Sequence, residues 1–196
     1  ILLRTYFIVQ NGVLADDDKW LYDRTTGSIN IHFIQALFSN IASQELTLVK
    51  KLFESRQSSK IFIRPESTER ERQIQLMEFL PLQHLDIEAE INPFAKHWEL
   101  RYYSICFDIP NCNQENKDQI CEAYWKTIAW NAAYYMNECE SWDWYYPYGY
   151  PPLLTDFSNY LNGLKKNAGC VKFPESEPIE PQTLLLMVLP PKSFNL

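Results

Sequence analysis

Six aromatic rings lie between Trp142 and Tyr150, and Pro147, Pro151 and Pro152 punctuate them. Proline lacks a backbone donor and holds φ near about −65°, so no regular element can run through residues 141–157. The segment is therefore read as a stiff loop that holds its rings in place. Two readings of those rings are open. A rigid aromatic platform suits base stacking, which is tolerant of sequence and contributes roughly 1–3 kcal/mol per base. Alternatively the loop packs into the core and each ring fills volume, the reading that composition alone favours.

The rest of the chain narrows the classes further. Aromatic residues total 6 Trp, 12 Tyr and 11 Phe against only 5 Gly. So little glycine argues against a Gly-rich phosphate cradle, a collagen or a flexible linker. With 196 residues and 46% hydrophobic content, the chain suits one globular domain with a core of its own. The net charge of −7 provides no generic basic surface for nucleic acid, although a local groove remains compatible with it. No apolar run reaches the roughly 18 residues of a membrane span. The sequence opens on Ile1 and its earliest methionine is Met77, so it reads as a piece of something longer.

Cys106, Cys112, Cys121, Cys139 and Cys170 are odd in number and irregularly spaced, without a Cys-x-x-Cys pair. They suit the reduced thiols of an intracellular protein, cytoplasmic or nuclear, better than a zinc site. The acidic triplet Asp16–Asp18 spreads its carboxylates in different directions and reads as a solvated loop. His84, Asp86, Glu88 and Glu90 alternate as on a strand, although their flanks suit a helix or loop, and the structural reading is preferred over a ligand set. The nucleophile elbow, the phosphate loop, the dinucleotide fingerprint and His-Glu-x-x-His are all absent, so no catalytic or metal-ligating residue is assigned in this chain.

Periodicity marks two helices among less regular segments. Residues 1–14 are apolar and β-tolerant. A helix is predicted from a cap near Ser28 to Asn30, with Ile31, Ile34, Leu37, Phe38 and Ile41 on one stripe, extended by Leu48 and Leu52. His32 beside the stripe is read as surface or interface, not as a ligand. Residues 55–75 are polar and charged and read as a flexible surface insertion. Asp118 is expected to cap a helix carrying Ile120, Tyr124, Ile128, Ala132 and Tyr135, with Trp125 and Trp130 elsewhere on its wheel. Such a helix is buried on several sides. Residues 172–182 read as extended, followed by an apolar run from Leu184 to Leu189.

The aromatic block resembles the second conserved region of the Xrn family of 5′→3′ exoribonucleases. That family carries Ser-Trp-x-Trp-Tyr-Tyr-Pro-Tyr-His-Tyr-Ala-Pro-x-x-Ser-Asp-Phe, where this chain has Ser141 to Phe157 with Gly149, Pro151 and Thr155 at the His, Ala and Ser positions. Tyr134-Tyr135 is similar to the family's Tyr-Tyr pair, and Arg101-Tyr102-Tyr103 to its Arg-Tyr-Tyr stretch. Gly12-Val13-Leu14, Gly27 to Ile31 and Gln182 to Ser193 resemble further anchors in the same order, so the likeness covers nearly the whole chain.

This resemblance implies a mainly α-helical segment of a larger α/β nuclease core, with Pro- and aromatic-rich loops. It implies part of a Mg²⁺-dependent enzyme degrading 5′-monophosphorylated single-stranded RNA, with the metal-binding carboxylates and the 5′-phosphate pocket outside residues 1–196. Within the chain, Trp142, Trp144 and Tyr145 are the implied substrate-contacting residues, stacking on or fencing the terminal nucleotide or supporting groups that do. Arg101 is a fourth candidate, either neutralising phosphate or pairing structurally with Asp156 or Asp108. The implied partners are single-stranded RNA and the remainder of the nuclease core, with no membrane. Gly149 in place of histidine, with the acidic balance, favours the alternative of a catalytically inactive Xrn-like structural or RNA-tethering subunit. An unrelated helical domain with a core-packed aromatic loop is a third reading.

Overall fold

Asn30 starts the fold's central helix. Its side-chain oxygen accepts the backbone N–H groups of His32 and Phe33 at 3.0 and 3.3 Å, two donors that a helix start leaves without internal partners. The computed structural model describes residues 1–12, 19–58, 64–65, 68–78 and 85–190. Among these it contains helices α1 (Leu2–Gly12), α2 (Ile31–Ala42), α3 (Glu45–Gln57), α4 (Glu69–Glu78), α5 (Leu85–Ile91), α6 (Trp98–Phe107), α7 (Gln114–Met136), α8 (Leu154–Asn162) and α9 (Pro181–Val188). One small hairpin pairs β1 (Tyr22–Asp23) with β2 (Ser28–Ile29), antiparallel, Tyr22 opposite Ile29. The mainly α-helical class expected from the sequence holds. No helix among the described residues is long and apolar enough to cross a membrane.

The main core is the meeting of α2, α7 and α8. Phe33, Ile34, Leu37 and Ile41 from α2 bury against Cys121, Trp125 and Ala129 of α7 and Phe157 and Leu161 of α8. Gln35 of α2 donates to the Leu161 carbonyl at 2.7 Å, which serves one of the unpaired carbonyls at the end of α8. A short 3-10 turn, Lys166–Gly169, then brings Gly169 against β2. A Cβ at that position would sit 2.0 Å from the Ile29 carbonyl oxygen, so no side chain fits. A second, smaller core holds Trp98 and Tyr103 of α6 with Ile120 and Leu153.

Several expectations are corrected. Residues 2–12 are helical, because Thr5 and Val9 fall one turn apart on the buried face and Tyr6 packs on Phe33 at 5.0 Å. Leu48 and Leu52 do not continue the α2 stripe. The chain leaves the helix at Ser43–Gln44, and α3 turns Glu45 inward and Leu52 outward. Asp118 lies inside α7. Its cap is Asn113, which accepts the Asn116 N–H at 2.9 Å while Asn116 accepts the Asn113 N–H at 3.3 Å. The buried stripe of α7 is Ile120, Cys121, Trp125, Ala129 and Ala133, so Tyr135 points to solvent. Small Ala129 and Ala133 let the helix approach its neighbours closely; Tyr124 packs on Phe157 at 5.1 Å, while Tyr134 and Tyr135 at the end of the helix are exposed.

Of the strand, helix and loop left open for Asp86, Glu88 and Glu90, the helix is what forms: all three lie on α5, and Glu88 is bound to Arg56 of α3 at 2.6 Å. His84 and the Asp16–Asp18 triplet lie outside the described residues. The 55–75 excursion is helical at both ends, through Gln57 of α3 and from Glu69 of α4; residues 59–63 and 66–67 within it lie outside the described residues. His32 is exposed, as the sequence suggested. The chain from Cys170 to Glu180 carries no helix or strand, and the stretch expected to be extended through residue 182 ends earlier, at α9, which begins at Pro181, where a missing N–H costs a helix nothing.

Candidate functional site: an anchored aromatic loop

The loop from Ser141 to Leu153 connects α7 to α8 and is tied down at both ends. At its start, the Trp130 indole N–H donates to the Ser141 carbonyl at 2.7 Å. Ser176 then accepts the backbone N–H of Trp142 at 2.6 Å and of Asp143 at 3.2 Å. At its end, the Tyr102 hydroxyl donates to the Pro151 carbonyl at 2.7 Å, and the Tyr103 oxygen accepts the Leu153 N–H at 3.2 Å. Tyr146 closes a turn within the loop by donating to the Tyr150 carbonyl at 2.7 Å.

The rings divide by side. Tyr146 meets Tyr124 of α7 edge-on at 5.6 Å, and Tyr148 meets Phe107 of α6 at 5.4 Å. Such pairs add about 0.5–1.5 kcal/mol beyond area burial. Trp144 packs on Phe173 at 5.5 Å, with its indole N–H enclosed and unpartnered among the described residues. Trp142 and Tyr145 face solvent, 50% and 73% exposed. The core-packing reading thus holds for Trp144, Tyr146 and Tyr148, while Trp142 and Tyr145 are left exposed.

A network fixes the start of α8. The helix has no side-chain cap of its own, and Glu45, reaching across from α3, accepts the N–H groups of Leu154 and Thr155 and the Thr155 hydroxyl. Asp156 accepts from the Tyr103 hydroxyl at 2.9 Å and pairs with Lys117 at 3.0 Å. Burial, then the Asp156 charge, raises the Tyr103 pKa above its ordinary value, so Tyr103 stays a neutral donor. Burial also pushes the Cys106 thiol to about 11 and Cys121 to about 12, which leaves both protonated and unreactive near neutral pH.

The structural partners considered for Arg101 were Asp156 and Asp108; the observed ones are carbonyls. Its guanidinium donates to Ile91 at 2.9 Å, Lys96 at 2.7 Å and Asn92 at 3.1 Å, where α5 ends and its last carbonyls lack partners within the helix. Asp156 is engaged by Lys117 instead. Behind the loop, an apolar cavity of about 570 Å³ is lined by residues including Val49, Phe53, Ile91, Trp98 and Pro152. Its arginine, Arg56, is tied to Glu88, so this cavity is not a phosphate site. Among the described residues, no group of three or more His, Cys, Asp or Glu could hold a metal ion, so these residues do not fit one.

Sequence reasoning did not single out Glu45, Trp130 or Ser176. Each acts through a partner 11 to 110 residues away, and nothing in the local pattern marks such a pairing.

A family model described as the Xrn1 helical domain matches residues 81–196. The chain is 39% identical over 94 residues to the 5′-3′ exoribonuclease 2 of Yarrowia lipolytica, covering 47% of this chain and 9% of that protein. Identity to the Saccharomyces cerevisiae protein of the same name is 33% over 109 residues, 55% of this chain and 10% of the relative. The Candida albicans one is 28% identical over 185 residues, 93% of this chain and 18% of the relative. The chain therefore spans at most about a fifth of the length of these relatives.

Proposed function

The chain belongs to the Xrn family, and on that premise we propose that it is the aromatic-faced helical part of a 5′→3′ exoribonuclease acting on 5′-monophosphorylated single-stranded RNA. The observation that carries this reading is the outward pair Trp142 and Tyr145, the most exposed rings of a loop in which Trp144, Tyr146 and Tyr148 pack on Phe173, Tyr124 and Phe107. Preorganised rings lose little entropy on stacking and accept any base. Trp142 and Tyr145 contact the nucleotide at the wall of a funnel that admits single strands. Trp144 backs the loop from inside, and Arg101 supports it by holding the end of α5 against α6. Mg²⁺, when bound, supplies the activation of water; its ligands belong to the part of the protein outside this chain. The protein acts inside the cell, in the cytoplasm or nucleus, which suits its free thiols.

A second reading, an inactive structural or RNA-tethering relative, rests on Gly149. A Cβ there would meet nothing within 4 Å, so the fold leaves room for the family's histidine and does not itself call for glycine. The test uses the full-length protein with Mg²⁺ on 5′-monophosphorylated and 5′-triphosphorylated RNA. The enzyme reading expects nucleotide release selective for the monophosphate, weakened by Trp142→Ala. RNA binding without any release points to the tethering reading. Trp142→Ala that lowers stability and leaves RNA binding unchanged refutes the stacking role.

A further inference from the structure

We propose that Ser176 is a positioning residue for the Trp142 surface, an inference that rests on the stacking role above. The segment Cys170–Glu180 crosses the start of the aromatic loop and touches it through Phe173 and Ser176. Ser176 Oγ lies 2.6 Å from the Trp142 nitrogen, 3.2 Å from the Asp143 nitrogen and 3.2 Å from Ser141 Oγ. A hydroxyl has one proton to give and two lone pairs. The two amides take the lone pairs, so the proton is donated to Ser141, and the capacity of the group is fully used.

Two successive N–H groups aimed at one oxygen fix the backbone at Trp142. Ser141 is itself buried and held through its carbonyl by Trp130. Between these anchors, the direction in which the Trp142 side chain leaves the loop is set by Ser176. Three residues earlier on the same strap, Phe173 covers Trp144. The strap thus sorts the two tryptophans, one held inside and one turned out.

The experiment uses the full-length protein and a labelled 5′-monophosphorylated single-stranded oligoribonucleotide, with affinity read by anisotropy at one fixed salt concentration. Trp142→Ala and Ser176→Ala are each expected to weaken binding by about tenfold, and the double variant to bind no worse than Trp142→Ala alone. Ser176→Thr, which keeps the hydroxyl, is expected to restore wild-type affinity and the slow hydrogen exchange of the Trp142 and Asp143 amides, both lost in Ser176→Ala. If Ser176→Ala does not fold, Ser176→Cys, which keeps the volume but accepts weakly, replaces it with the same expectations. Additive losses, or wild-type affinity in Ser176→Ala alongside a weakened Trp142→Ala, overturn the role of Ser176 and leave the stacking role standing. Wild-type affinity in Trp142→Ala overturns the stacking role and this inference with it.

Discussion

Replacing Glu45 with alanine removes a carboxylate that is 5% exposed and serves three donors, the Leu154 and Thr155 amides and the Thr155 hydroxyl. No side chain of α8 can substitute, since Leu153 occupies the cap position. An orphaned buried donor costs about 1–3 kcal/mol, and a charge lost from a helix N-terminus about 0.3–1 kcal/mol more. Because the donors are only partly buried and the terms are not additive, the expected loss is about 3 kcal/mol. For a chain this long that corresponds to a melting point lower by roughly 6–12 °C. Locally, amide exchange at Leu154 and Thr155 should accelerate by about a hundredfold, since each ~1.4 kcal/mol is a factor of ten. Glu45→Gln keeps one acceptor oxygen but turns an NH₂ toward a donor, so it should fall between wild type and alanine. Exchange read by mass spectrometry over residues 150–162 separates this from global unfolding. A loss under ~0.5 kcal/mol in the alanine variant, the range of an ordinary surface change, refutes the assignment of Glu45 as the cap of α8.

Two further outcomes follow from the core. Phe157 is fully buried and meets Phe38 and Tyr124 edge-on at 4.8 and 5.1 Å, so Phe157→Ala should cost about 3–5 kcal/mol in urea unfolding, while exposed Tyr135→Ala stays within about 0.5 kcal/mol. Burial raises the pKa of Tyr102, Tyr103 and Tyr146, and that of Tyr160 to about 12, so the folded state favours the neutral phenols. Their contribution to stability is complete below the ordinary value of 10.0 and is lost as pH rises through the raised values. Phenolate absorbance should therefore appear for these residues together with loss of near-ultraviolet dichroism; ionisation of every tyrosine near pH 10 with the dichroism intact contradicts the burial argument.

The local chemistry of the chain was legible in the sequence wherever neighbours in sequence are also neighbours in space. Asn30 capping α2, the Ile31–Ile41 stripe and the unstructured, stiff path through Pro147, Pro151 and Pro152 all follow from interactions within a few residues. Residues 141–157 were expected to carry no regular element, which holds through Leu153 but not beyond it: α8 takes in Leu154 to Phe157, because the last proline of the block, Pro152, lies before the helix start. The motif carrying the family likeness was equally legible, because it is a string of side chains and needs no coordinates.

What tertiary structure decided was the use of each side chain. The same helical spacing fits several faces of α7, and only packing against α2 and α8 chose Trp125, Ala129 and Ala133 to go inside and Tyr135 to go out. Six rings in one loop carry no mark of which are displayed. Phe173, Tyr124 and Phe107, each distant in sequence, claimed Trp144, Tyr146 and Tyr148 and left Trp142, Tyr145 and, to a smaller extent, Tyr150 exposed. Arg101 found carbonyls in place of a carboxylate because α5 ends beside it, and a helix end presents acceptors that no residue-type pattern records. Local propensity acts through the nearest few residues, whereas burial and hydrogen-bond satisfaction are settled by whichever segments the fold brings together.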